Sequence, residues 1–305
     1  MLIYAAKRAL MAVLVALTVS VICFMLVQLS TDVATAMAGE GARAEDIAMI
    51  RKQYGFDRPL VVQYFDWLGR AATGNFGDSF YFRTPVSGIV WERMPTTLLL
   101  GAMGLSFALA LSIPLGVIAA VRPNSWIDRL TLTIAVIGQA MPVFWFALLL
   151  ILLFGLTLRW LPISGSETWA HFIMPAIALS YYATPAIMRL TRAGMLDVLQ
   201  ADYIRTARAK GLRAGRILFK HALRNAIIPV VALSAVQLGF MLGGSVIIET
   251  VFALHGLGYL AYESITHNDF PVVQAIVLLI SLIYIVLTLA ADLLNAWLDP
   301  RIRVG

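Results

Sequence analysis

Long apolar runs separated by short polar stretches set the plan of this chain. A bilayer crossing takes about 20 predominantly apolar residues as a helix. Six runs reach that length: residues 9–29, 97–121, 130–156, 172–190, 226–248 and 272–297. Backbone in hydrocarbon must satisfy its own hydrogen bonds, and runs of this length do so as helices. The expectation is an all-α polytopic membrane protein with six transmembrane helices. Its predicted parts are an N-terminal helix in 1–30, an extramembrane insert at 31–95, a five-helix core at 96–298 and a tail at 299–305. Proline interrupts several runs: Pro114 in the second, Pro142 in the third, Pro175 and Pro185 in the fourth. Each frees a backbone carbonyl that must face protein or water. Gln139 and Met141 flank the Pro142 break, and the fifth run carries Gln237, Gly239 and Gly243. Gly239 and Gly243 form Gly-x-x-x-Gly, whose ordinary use is close helix packing. The sharper expectation is that Gln139, Met141, Pro142, Gln237, Gly239 and Gly243 line a route through the bundle.

The polar stretches orient the bundle. With the N-terminus inside, 15 of the 23 Lys and Arg fall on the cytoplasmic side, as the positive-inside rule requires. The other eight are Arg159 and seven in the long first outer segment, which weighs little in that rule. An even number of crossings then puts both termini in the cytoplasm. Within the insert, residues 44–54 read as a short helix stopped by Gly55. Asp57 reads as the N-cap of a second helix with Pro59 early in it. The simplest reading of the insert is a compact cap packed on the spans; the other is a docking surface. Asp292, late in the last run, is expected to pair with a basic side chain. Glu249, at the end of the fifth, is expected on a solvated rim.

Composition agrees. The 305 residues are 60% hydrophobic and 13% charged, with mean hydropathy +0.84, far from soluble averages. The net charge of +6 does not mark a nucleic-acid binder, because the bases sit at span ends and in one loop. The single Cys23 leaves no intrachain disulfide. No Gly-x-x-x-x-Gly-Lys-Ser/Thr loop occurs, so ATP hydrolysis by this chain is not expected. The four histidines lie in separate loops without ligand spacing, so neither a metal nor another cofactor is expected. Ser164 has no histidine at matching depth in a span, which argues against an intramembrane serine protease.

The densest chemistry is in residues 200–229. Arg205, Arg208, Lys210, Arg213, Arg216, Lys220 and Arg224 follow one another at two to four positions. Such a segment belongs in water, between the fourth and fifth runs. Tyr203, Ile204, Ala207 and Leu212 supply apolar contacts, and Gly211 lets the chain turn. Thr206-Ala207 followed by Gly211 resembles the Glu-Ala-Ala-x-x-x-Gly loop of permease subunits in ATP-binding-cassette importers. The stretch Tyr203-Ile204-Arg205-Thr206-Ala207-Arg208-Ala209-Lys210-Gly211-Leu212 is similar to the version in the bacterial dipeptide, oligopeptide and nickel branch. Arg205 stands where the generic motif has Glu, and the Ile-Ile-Pro tail ends late, at Pro229. Leu161-Pro162-Ile163-Ser164-Gly165 and the turn from Val251 to Gly258, with His255 in place of Pro, carry the same resemblance.

The resemblance implies a multi-pass permease of the bacterial inner membrane with a periplasmic insert. It would import peptides together with a second homologous permease, two cytosolic ATP-binding subunits and a periplasmic solute-binding protein, amid membrane lipid. The cytoplasmic loop 191–225 would couple to one ATPase, with residues 203–212 seated in its groove. Glutathione-like peptides and nickel complexes are the alternative cargoes. A stand-alone secondary transporter is the rival class, but no mid-span charge or inverted repeat supports it.

Overall fold

A computed structural model describes residues 2–298, except 31–32, 39–40 and 54. Tyr54 and the 299–305 tail therefore lie outside the described residues. Helix α1 spans Leu2–Ser30. The insert holds α2 (Val33–Ala38), α3 (Ala44–Gln53) and α4 (Leu60–Ala72). Then follow α5 (Val86–Val121), α6 (Trp126–Ala140), α7 (Val143–Leu150) and α8 (Ile173–Leu199). A short α9 (Asp202–Ala209) precedes α10 (Ala214–Arg216), a wide turn at Ile217–Leu223 and α11 (Arg224–Ala226). The chain ends with α12 (Ile228–Val251), α13 (Leu257–Thr266) and α14 (Phe270–Leu298). Among the described residues there is no strand, only an isolated bridge between Asp78 and Pro85.

Four stretches are long and apolar enough to cross a membrane: Tyr4–Gln28, Val86–Val121, Ile228–Val251 and Phe270–Trp297. Helix α8 is also long, but Arg189, Arg192 and Asp197 occupy its second half. The third apolar run is not one helix. Met141 leaves the helical region at φ −87°, ψ 138°, and Pro142 follows at ψ 135°. Proline disfavours a helical residue before it, so α6 stops there and α7 restarts. In α5 the helix takes in both Pro95 and Pro114 and begins at Val86, inside the stretch expected to be insert.

Apolar packing falls into layers. The middle layer joins α5, α7, α8 and α12 through Leu100, Ala147, Leu179, Ile187 and Met241. At the insert end, Val86, Val90, Leu257, Leu260, Val272 and Ile276 form a second layer. At the opposite, basic end, Val117, Met195, Ile204, Ala207, Ile217 and Ala222 form a third. The insert packs as a cap. Trp67 of α4 is buried against Phe24 of α1 and Leu278 of α14. Tyr64 Oη and Ser20 Oγ lie 2.8 Å apart, and Gln28 donates to Gln63 at 3.0 Å. Gly55, at φ +72°, ends the α3 segment as expected. Asp57 does not cap the next helix: Pro59 is its N-cap residue, with no side-chain cap bond. At the basic end Arg8 meets Asp292 at 3.1 Å, joining α1 to α14, the pairing expected for Asp292.

Candidate coupling surface

Helix α9 stands across the basic end, between α8 and the 214–226 segment. Local chemistry explains its limits. Asp202 sits in its first turn and Arg208 in its last, both favourable to the helix dipole. Gly211 adopts φ +73°. Its N–H donates to the Arg208 carbonyl at 2.9 Å, and the Leu212 N–H donates to the Ala207 carbonyl at 3.3 Å. These paired bonds are a Schellman stop, which calls for a left-handed residue at the glycine position. Leu212 then packs back on the apolar layer at this end.

The two faces of α9 differ. Ile204 is fully buried and Ala207 nearly so, against Val117, Met195 and Ile217 of the chain's own core. Three positions apart, they share the inward face and dock α9 on its own bundle. The outward face carries Tyr203, Arg205, Thr206, Arg208, Ala209 and Lys210, all exposed. Asn225 donates to Tyr203 Oη at 2.8 Å and to the His221 carbonyl at 3.1 Å, bracing the helix from the far side of the loop. Arg205 lies 3.5 Å from Asp202 with both groups in solvent, an ion pair worth little. Arg213, Arg216, Lys220 and Arg224 are exposed as well. The result is a rigid ridge with a dense positive face.

A second polar anchor holds the neighbouring turn. Arg192 of α8 grips Asp128 of α6 through Nε and Nη2, both at 2.7 Å. Asp128 also accepts from the Asn124 N–H at 2.9 Å, while Ser125 Oγ caps the helix by accepting from the Asp128 N–H. The Arg192 guanidinium holds the Asp128 carboxyl below the usual carboxylate range. Nothing in the sequence singled out this pair, whose members lie 64 positions apart.

The residues expected to line a route separate. Gly239 is buried beneath the Tyr284 ring of α14; a Cβ there would come within 2.4 Å of the ring. That contact is a close helix approach, the ordinary use of the Gly-x-x-x-Gly motif. Gln237 is also buried within the chain. Gly243 has nothing within 4 Å of its added Cβ and is exposed. Met141 and Pro142 sit at the α6/α7 break, partly or fully exposed. The side chain of Gln139 lies outside the described residues. Among the described residues no cluster of potential metal ligands occurs.

At the insert end, Glu249 is not on a rim; it is wholly buried. It accepts from Thr97 Oγ1 at 2.8 Å and from the Tyr259 N–H at 3.0 Å, while Thr97 Oγ1 accepts from the Leu257 N–H at 2.7 Å. Gly256 and Gly258 must lack side chains, since a Cβ would meet the Glu249 carboxylate at 2.5 and 3.0 Å. Asp269, also buried, accepts from Ser79 Oγ, and from the Phe80 and Tyr81 N–H groups at 3.0 and 3.3 Å. Tyr81 stacks on His267 at 3.8 Å. These bonds tie the insert, α5, α12 and α14 together. Neither knot was expected from the sequence, where Glu249 reads as a rim residue.

The described residues form a helical membrane bundle with a basic helix docked at one end. Comparison with known proteins gives the family. Residues 112–304 match the family described as binding-protein-dependent transport system inner membrane component, and residues 1–101 match its N-terminal companion. The chain belongs to this family: it is a permease subunit of an ATP-binding-cassette importer, multi-pass in the bacterial inner membrane. It is 42% identical over 304 residues to the glutathione transport system permease protein GsiC of Escherichia coli K12, covering 99% of both chains. The Salmonella typhimurium LT2 protein of that name matches to the same extent. The fold is similar to the MetNI methionine transporter in inward-facing conformations, at TM-score 0.57 and 21% identity, covering 69% of this chain and 96% of that one.

Proposed function

We propose that the chain is one of two homologous permeases that together frame the path for a short peptide of the glutathione class. Two cytosolic ATP-binding subunits drive the pair, and a periplasmic solute-binding protein delivers the cargo to the insert end. Hydrolysis resides in the ATP-binding subunits, since this chain has no phosphate loop. The topology is six crossings with both termini cytoplasmic. The broken α6/α7 unit and α8 are the third and fourth crossings, between the four long apolar stretches. The 15 bases assigned to the inner side support that orientation. The cargo class rests on the glutathione transport relatives, which align over the full chain.

The observation that carries the mechanism is the division of α9 into two faces. Ile204 and Ala207 fasten it to the core beside α5 and α8, while Arg205, Arg208 and Lys210 face outward. A partner closing on the outer face pushes a helix that cannot yield independently of the bundle. Met195 of α8 and Val117 of α5 share the apolar layer with Ile204, so the push passes into two long helices. On this reading ATP-driven closure reaches the insert end through α5 and α12, where Glu249 and Thr97 join them. Uptake of labelled glutathione by the reconstituted complex tests the reading. ATP-dependent uptake, competed by short peptides and absent without the binding protein, is expected. Uptake that survives removal of the ATP-binding subunits would overturn it.

A further inference from the structure

An apolar cleft of about 470 Å³ opens at the basic end, beside the α5–α6 turn. Its walls are Ile113, Val117 and Ile118 of α5 with Leu218 and Phe219 of the 217–223 turn. Arg122 is the one charged or polar residue in its lining. The cleft faces outward: Ile118 is 46% exposed and Phe219 64%. Trp126, 73% exposed, begins α6 four residues after Arg122. Trp is enriched at headgroup level in membrane proteins, which sets the depth of this end.

The electrostatics are asymmetric. Between residues 121 and 130 the acid is Asp128 and the bases are Arg122 and Arg129. Asp128 is already engaged by both nitrogens of Arg192. The Arg122 guanidinium has no hydrogen-bond or ion-pair partner among the described residues. A cation at the mouth of an apolar slot matches an anion joined to a hydrocarbon chain. Basic pockets between spans at the cytoplasmic side hold anionic lipid headgroups in this way.

We propose that this cleft is a seat for an anionic phospholipid of the inner leaflet. One acyl chain lies between Ile118 and Phe219, and the phosphate accepts from Arg122. The leaflet rests on the orientation proposed above; the chemistry of the seat does not. A lipid held there wedges between α5 and the segment following α9, so its occupancy bears on how far those elements can part. The seat also keeps water from the apolar flank of the ridge when no protein covers it.

Two measurements on the intact purified transporter test this. The first is native mass spectrometry after exchange into mixed phosphatidylglycerol and phosphatidylcholine. Preferential retention of phosphatidylglycerol by about fivefold is expected, the factor for one arginine near the surface. Arg122→Gln should bring the ratio to about one, and Arg83→Gln, in the insert, should leave it unchanged. The second places the photoreactive residue benzoylphenylalanine at Phe219. Capture of phospholipid is expected. Equal retention of both lipids, an unchanged ratio in Arg122→Gln, or capture of another protein subunit from position 219 would each overturn the proposal. Failure of glutathione uptake leaves these readouts intact, so the two readings are tested separately.

Discussion

At the scale of single residues, three positions carry more than their neighbours. Gly211 sits at φ +73° with open space around it, so its requirement is conformational and not steric. Gly211→Val forces a β-branched residue into the left-handed region, at a cost of about 1–2 kcal/mol, and should uncouple uptake from ATP hydrolysis. Gly211→Asn, which tolerates that region, should keep most coupling. Hydrolysis rate and uptake measured together in the reconstituted complex decide it. Glu249 is held by groups that donate to its oxygens. Glu249→Gln keeps acceptance at one oxygen and should retain assembly, whereas Glu249→Ala leaves the Tyr259 N–H and Thr97 without that acceptor, a loss of about 1–3 kcal/mol per group. Thermal stability of the purified complex separates the two. For Asp128 the folded carboxyl lies below its unfolded value because Arg192 grips it. Its stabilisation is therefore present above the ordinary carboxylate pKa and lost as pH falls through the depressed one. Asp128→Asn should lower the stability plateau at neutral and alkaline pH and flatten the acid limb, with little change below the depressed pKa.

At the scale of elements, α9 shows what pattern alone leaves open. Its existence, its basic character and its stop at Gly211 were legible, because charge density and glycine are local signals. Which face turns inward was not. Ile204 and Ala207 are apolar residues among charges, a pattern equally suited to a partner's groove or to the chain's own core. The surroundings decided, through Val117 and Met195 from elsewhere in the sequence. Ile204→Ala should therefore loosen α9 from its bundle by about 2–5 kcal/mol. Faster amide exchange across residues 202–209 would report it. The third apolar run read as one crossing, yet Pro142 divides it; proline was visible, and the extent of the break was not. Gly239 and Gly243 formed one motif in sequence and have two environments in the fold, one under Tyr284 and one open. Spacing alone does not say which neighbour a glycine admits.

At the scale of the whole molecule, the apolar layers and the polar knots form one continuous frame from the basic end to the insert end. The layer at the basic end joins α5, α8 and α9, and the layer at the insert end joins α5, α13 and α14. Helix α5 belongs to both, and at 36 residues it is about 54 Å long, more than the hydrocarbon thickness. Its N-terminal turns stand among the insert contacts. The long-range pairs that close this frame, Asp128 with Arg192, Thr97 with Glu249 and Ser79 with Asp269, were illegible in sequence. Each member is a common residue, and only the fold brings the partners together. The insert had two readings in sequence, a cap or a docking surface; Trp67 packed on Phe24 and Leu278 makes it a cap on the spans.

The central claim is that the outward face of α9 is gripped by an ATP-binding subunit while its inward face belongs to the permease. A photoreactive residue at Ala209, on the exposed face, tests it in the assembled complex. The expected result is an adduct with the ATP-binding subunit whose yield changes with nucleotide. No adduct in any nucleotide state, or capture of the solute-binding protein instead, would contradict it.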